Sequence, residues 1–233
     1  MAVTLTYLGS SVSTSTATVY TFSGAPPPGT GTAAADRINV AAANFASTTT
    51  TTATLSSSSI NGQSCTIHVN VNADSSEAGC ASISSALNTE GTTGDWVFTW
   101  GASVPGCICY RYDMKGADAT PTATASDSTL SGAALAASLA IDTDGCGIGV
   151  VAWWLDGTMT TSWTNLTENA DNVWDTETMA SVASSTSAGT STRTATGSAT
   201  PDAGNLALCA WGPAATLIIA PQFYHHRHHN LAG

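Results

Sequence analysis

The chain has 233 residues, five Lys+Arg against 16 Asp+Glu for a formal net charge of −11, and only 9% charged residues, where an ordinary soluble domain has about 25%. Five basic side chains cannot neutralise a nucleic-acid footprint, because phosphate binding scales with Lys and Arg contacts. No run approaches the ~18 apolar residues that span a bilayer, and seven Trp, five Tyr and four Phe at low charge exclude a disordered chain.

Met1 is followed by Ala2-Val3-Thr4-Leu5-Thr6-Tyr7, with neither a basic n-region nor an apolar h-region, so synthesis in a cytoplasm without a signal peptide is expected. Val3, Leu5 and Tyr7 begin a period-two pattern that places alternate side chains toward a core. It recurs at Cys65–Val71, Trp96–Trp100 and Thr192–Thr196, and Thr18–Phe22, Ile38–Asn44, Cys107–Tyr112, Ile148–Leu155, Met179–Ser184 and Leu206–Trp211 are further strand candidates. Ala-rich Leu135–Ile141 reads as a further strand. Ser23-Gly24, Pro26-Pro27-Pro28-Gly29, Asn61-Gly62, Pro105-Gly106 and Asp156-Gly157 supply turn signals between them. Many short Thr-rich strands and few strong helix formers predict an all-β, jelly-roll-like antiparallel β-sandwich over residues 1–212. Ser47–Ser59 reads as a strand flanked by a surface loop, and Ser181–Thr200 as a strand pair, because Thr favours strands over flexible linkers. No clear internal repeat emerges. Residues 213–233 differ: Leu217-Ile218-Ile219, Phe223-Tyr224 and His225-His226-Arg227-His228-His229 predict an extended C-terminal arm that reaches a neighbouring subunit.

Catalytic signatures are missing: there is no Gly-x-Ser-x-Gly elbow, phosphate loop or His-Glu-x-x-His motif. His68 alternates with apolar positions and is expected to face solvent. Asp142, Asp144, Asp156, Glu168, Asp171, Asp175 and Glu177 supply oxygen ligands but no complete calcium loop. The adjacent histidines of the tail diverge and lack nearby cysteine or carboxylate, which favours packing over a metal site. Neither a catalytic residue, a metal nor a cofactor is therefore expected. Trp154, Trp163 and Trp174 could stack sugar rings. The plainer reading is that tryptophans fill a core otherwise built from alanine. The six cysteines, Cys65, Cys80, Cys107, Cys109, Cys146 and Cys209, admit buried thiols, a metal site, or disulfides formed after release from the cell. Cys107-Ile108-Cys109 is poor zinc spacing and puts both sulfurs on one face of a strand.

The runs Val3-Thr4-Leu5-Thr6-Tyr7-Leu8-Gly9, Tyr20-Thr21-Phe22-Ser23-Gly24, Ala35-Asp36-Arg37-Ile38-Asn39-Val40, Trp163-Thr164-Asn165-Leu166-Thr167-Glu168, Met179-Ala180-Ser181 and Leu206-Ala207-Leu208-Cys209-Ala210-Trp211 resemble jelly-roll structural proteins of tailed bacteriophages, over about residues 1–212. The resemblance implies a non-enzymatic virion protein made in the host cytoplasm and carried on the virion surface. Its role would be capsid decoration (cement), with the major capsid protein and itself as partners and a trimer as the favoured state. The alternative is a receptor- or glycan-binding module of a tail fibre, spike or collar. In a particle released by lysis, at least two disulfides are expected. Cys65–Cys80 is the preferred pair, closing a loop worth about 3 kcal/mol in the chain-entropy model, with Cys146 and Cys209 as the in-chain partners left for Cys107 and Cys109. Intersubunit bonds remain open, and six cysteines allow 15 complete pairings.

Overall fold

The computed structural model describes residues 1–23, 37–46, 53–72, 79–87, 94–155, 157–174 and 178–215. These hold β1 (Thr4–Ser13), β2 (Ala17–Phe22), β3 (Arg37–Ala46), β4 (Leu55–Ile60), β5 (Gln63–Ser64), β6 (Thr66–Asn72), β7 (Gly79–Leu87), β8 (Trp96–Val104) and β9 (Cys107–Lys115) in the first half. The second half holds β10 (Ala123–Thr129), β11 (Ala134–Ile141), β12 (Cys146–Trp154), β13 (Thr161–Thr164), β14 (Thr167–Val173), β15 (Thr178–Ser185), β16 (Gly189–Gly197) and β17 (Ala203–Trp211). Every pairing is antiparallel.

Four sheets stack in layers. The first outer sheet, β2-β8-β4-β5, lies on the first inner sheet, β1-β9-β3-β7-β6. The latter lies on the second inner sheet, β10-β17-β12-β15-β14, which is covered by the second outer sheet, β11-β16-β13. Three apolar layers fill the gaps. Tyr20, Phe45, Trp96, Phe98 and Trp100 pack between the first two sheets. Val40, Ile83, Tyr110, Ile148, Val182 and Trp211 lie between the inner sheets, and Leu135, Leu139, Trp153, Leu206 and Leu208 between the last two. The antiparallel sandwich expected from sequence is thus present, and present twice around one shared middle core.

Layering explains the sequence pattern. Period-two burial holds in outer strands such as β11 and β16, which have one wet face. It vanishes in β3, β12 and β17, where every residue is buried, because a central strand of an inner sheet has no wet face; the inner-sheet edge strand β10 still alternates. Strands β3, β12 and β17 mix large side chains with Ala, Gly and Cys, small enough to let the sheets approach on both sides. The expected strand pair over Ser181–Thr200 is two strands, but β15 lies in an inner sheet and β16 in an outer one. Five strands, β5, β7, β10, β13 and β14, had no apolar alternation to announce them.

The two halves repeat one topology. In each, the first strand lies beside the last, then the third, then a hairpin (β7-β6, β15-β14), while the second, the penultimate and the fourth form the outer sheet. Across the middle core β6 touches β10 and β17, β7 touches β17 and β12, β3 touches β12 and β15, and β1 touches β14. Exchanging equivalent strands carries β6–β10 to β1–β14, β7–β12 to β3–β15 and β3–β12 to itself, as a two-fold contact requires, whereas β17 packs more closely on β6 and β7 than its counterpart β9 does on β14 and β15, so the two-fold is approximate. Residue detail agrees. Both hairpins carry a bulge at the same place, at His68 between Ile67 and Val69 and at Asn169 between Glu168 and Ala170. His68 bonds Ser85 and packs edge-on against Trp211 of β17. Its counterpart Asn169 accepts from Ser184 and from Tyr112 of β9. The turns ending β4 and β13 each put an asparagine at positive φ, Asn61 at 51° and Asn165 at 63°. A repeat is therefore present where the sequence showed none. Its visible trace is Ala81-Ser82-Ile83 against Ala180-Ser181-Val182 in matching register.

Candidate functional site

Within the chain the six cysteines are free thiols, five buried and Cys65 half-buried, which corrects the expected in-chain disulfides. Cys107 and Cys109 face the first outer sheet, while Cys146 and Cys209 face the middle core on the other side of the first inner sheet, so a strand and its side chains separate the proposed partners. Cys65 and Cys80 fail for a different reason. Thr66 pairs with Ser85 and Asn72 with Cys80, so Cys65 and Cys80 stand at opposite ends of the β6–β7 hairpin, about 16 Å apart at strand rise, beyond disulfide reach. Cys146 and Cys209 sit diagonally on neighbouring strands, a spacing of about 7–8 Å that also exceeds it. Their contacts are those of packed thiols: Cys80 Sγ donates to Asn70 Oδ1 at 3.0 Å, and Cys146 Sγ lies 3.3 Å from Met114 Sδ. Burial pushes the Cys65 thiol up to about 11 and those of Cys80, Cys109 and Cys146 up to about 12.

The tryptophans proposed for sugar stacking do not share an exposed face. Trp154 is buried, Trp163 donates to Ser181 Oγ at 2.8 Å and packs on the third core, and Trp174 lies half-buried against the first and middle cores. They supply volume. His68, expected in solvent, is half-buried between the inner sheets because its bulge shifts the alternation of β6. Of the acidic residues, Asp171 caps the Thr161 amide at 3.0 Å, and Asp156, Asp175 and Glu177 lie outside the described residues. Among the described residues no three His, Cys, Asp or Glu converge as metal ligands. The arm residues Leu217, Ile218, Ile219, Phe223, Tyr224, His225, His226, His228 and His229 also lie outside them. The last described contacts of that end are the Ala117–Pro213 bridge and the Ala214 amide on the Gly116 carbonyl.

One cleft, of about 230 Å³, brings polar groups together: Asn165, Leu166, Thr167, Ser185, Ser187 and Arg193 line it. It opens at one end of the second sandwich. Arg193 follows the inward phase of β16 with Ala195 and Gly197, and lies just past Thr194, where β13 stops pairing. The chain then turns through Asn165 at positive φ, which asparagine tolerates better than most residues. Asn165 Nδ2 donates to the Thr192 carbonyl at 2.8 Å, and Arg193 Nη1 donates to the Asn165 carbonyl. The opposite wall is the end of β15, where Ser185 Oγ accepts from the Ser187 amide at 3.1 Å. Arg193 is only 3% exposed, its Nε is buried without a partner, and burial lowers its pKa from the usual value. No carboxylate among the described residues pairs with it; the ion pair there joins Arg37 to Asp113 at 3.5 Å. Sequence reasoning passed over Arg193. Its signal was a lone cation in a strand of Thr and Ala.

Compared with known protein families, curated proteins and solved structures, the chain finds no match.

Proposed function

We propose that this chain is a non-enzymatic structural protein of a bacteriophage virion, decorating and cementing the capsid surface through contacts with the major capsid protein and with further copies of itself, a trimer being the favoured state. The observation that carries the reading is the four-layer slab. The central strands of both inner sheets are buried on both faces, so the molecule is stiffened through its middle and offers partners its outer sheets, edges and termini. Strongly acidic net charge keeps many exposed copies from associating nonspecifically. The resemblance of residues 1–212 to phage jelly-roll proteins supplies the assignment to a virion. Cryo-microscopy with mass spectrometry of purified particles tests it: many copies on the head are expected, and absence from the particle overturns it. The second reading, a receptor- or glycan-binding module of a tail or collar appendage, draws on the polar cleft around Arg193. Localisation to fibre or spike rather than head would select it.

A further inference from the structure

We propose that the cleft at the end of the second sandwich binds a carboxylate-bearing ligand about the size of one acidic sugar, with Arg193 as its charge partner. Burying a guanidinium without a counter-charge is costly, and here one is held 97% buried at a cleft mouth with an unpartnered Nε and no carboxylate beside it. A bound anion supplies the missing charge. Nη1 is committed to the Asn165 carbonyl, which fixes the plane of the guanidinium and leaves Nη2 for the ligand.

The rest of the cleft sets the ligand class. Thr167, Ser185 and Ser187 surround Arg193 with hydroxyls and Leu166 adds the apolar wall, a mixture suited to a polyol ring rather than to an aliphatic acid. A single cation in a chain of net charge −11 balances one negative charge, not two, so a monoanionic carboxylate fits better than a phosphate monoester. The volume of about 230 Å³ admits one ring. Trp163 stands two residues before Asn165 but does not line the cleft, so the site does not depend on tryptophan stacking, and it stands or falls independently of the decoration role.

The test uses the full chain labelled with ¹⁵N and titrated at constant ionic strength with glucuronate, and in parallel with acetate, sulfate and glucose. Glucuronate should shift the Arg193 side-chain and Thr167, Ser185 and Ser187 amide resonances saturably, at least about tenfold more tightly than acetate or glucose. Arg193→Gln should abolish the response. Because that change also removes the bond to Asn165, Thr167→Val with Ser187→Ala provides a second arm that keeps the arginine and should weaken glucuronate at least about tenfold. Sulfate binding as tightly as glucuronate would show an unselective anion site and overturn the sugar-acid assignment. Absence of any saturable shift would mean that Arg193 only holds the Asn165 turn, and would overturn the site.

Discussion

At the scale of single residues, burial decides the chemistry. The cysteine thiols are raised by desolvation, so thiolate, the reactive form, is scarce near neutral pH. The expected outcome is that folded protein resists alkylation at the five buried cysteines and that denatured protein is alkylated at all six, with the half-buried Cys65 the first to react in the native state; peptide mapping reads this directly. His68 works in the opposite sense. Its pKa is lowered by burial between the inner sheets, so the unfolded chain binds the proton more readily. Stability is therefore full above the unfolded value of about 6.5 and falls as pH drops through that value toward the folded one. His68→Gln should flatten this part of the stability profile, measured by denaturant midpoints across the range. Tyr110 shows what one hydroxyl contributes. Its Oη donates to the Ala180 carbonyl at 2.8 Å across the middle core, and Tyr110→Phe should cost about 1 kcal/mol.

At the scale of elements, small residues set how closely sheets approach. A Cβ on Gly149 in β12 would meet Leu208, Leu166 and Trp163 side chains at 2.7–3.0 Å, so Gly149→Ala should destabilise by about 1–3 kcal/mol through overpacking, with the denaturant midpoint as readout. Edges follow a second rule. Three of the four edge strands of the inner sheets, β1, β6 and β14, carry bulges, a device that interrupts the flat template on which another chain could pair. The regular edge, β10, is instead marked by Asp127, whose carboxylate accepts from the Ala136 amide of β11 at 2.8 Å. Carboxylate and bulge do the same work by different means.

At the scale of the whole molecule, the two halves behave as a dimer joined by the linker around Gly116–Thr122. The linker is itself pinned by the Asp118 amide on the Gly212 carbonyl and by the Thr122 amide on the Ala210 carbonyl. The shared core spans residues from both halves, so its burial outlasts the peptide bond. A protease site placed between Asp118 and Thr122 should yield, after cleavage, two fragments that co-elute as one particle in native size exclusion and separate only in denaturant. Fragments that part under native conditions would show that the middle core does not bind the halves by itself.

Much of this was legible in the chain. Thr-rich alternation identified the outer strands, together with few strong helix formers it identified the class, and Asn61-Gly62 marked a turn, because these depend on local geometry and on one wet face. What lay beyond the sequence depended on which faces meet. Alternation is erased wherever a sheet is covered on both sides, so β3 and β17 look like generic apolar runs and their layer cannot be read from them. The two-fold repeat is invisible because equivalent positions need only equivalent volume: Phe45 and Trp153 stand at matching register with no shared identity. The cysteines illustrate the same limit. Spacing shows which side of a strand a sulfur takes, but only the stacking of four sheets decided that Cys107 and Cys109 face one core and Cys146 and Cys209 another. Arg193 could not be recognised as a site at all until the turn at Asn165 and the end of β15, brought together by pairing between distant strands, closed a cleft around its charge.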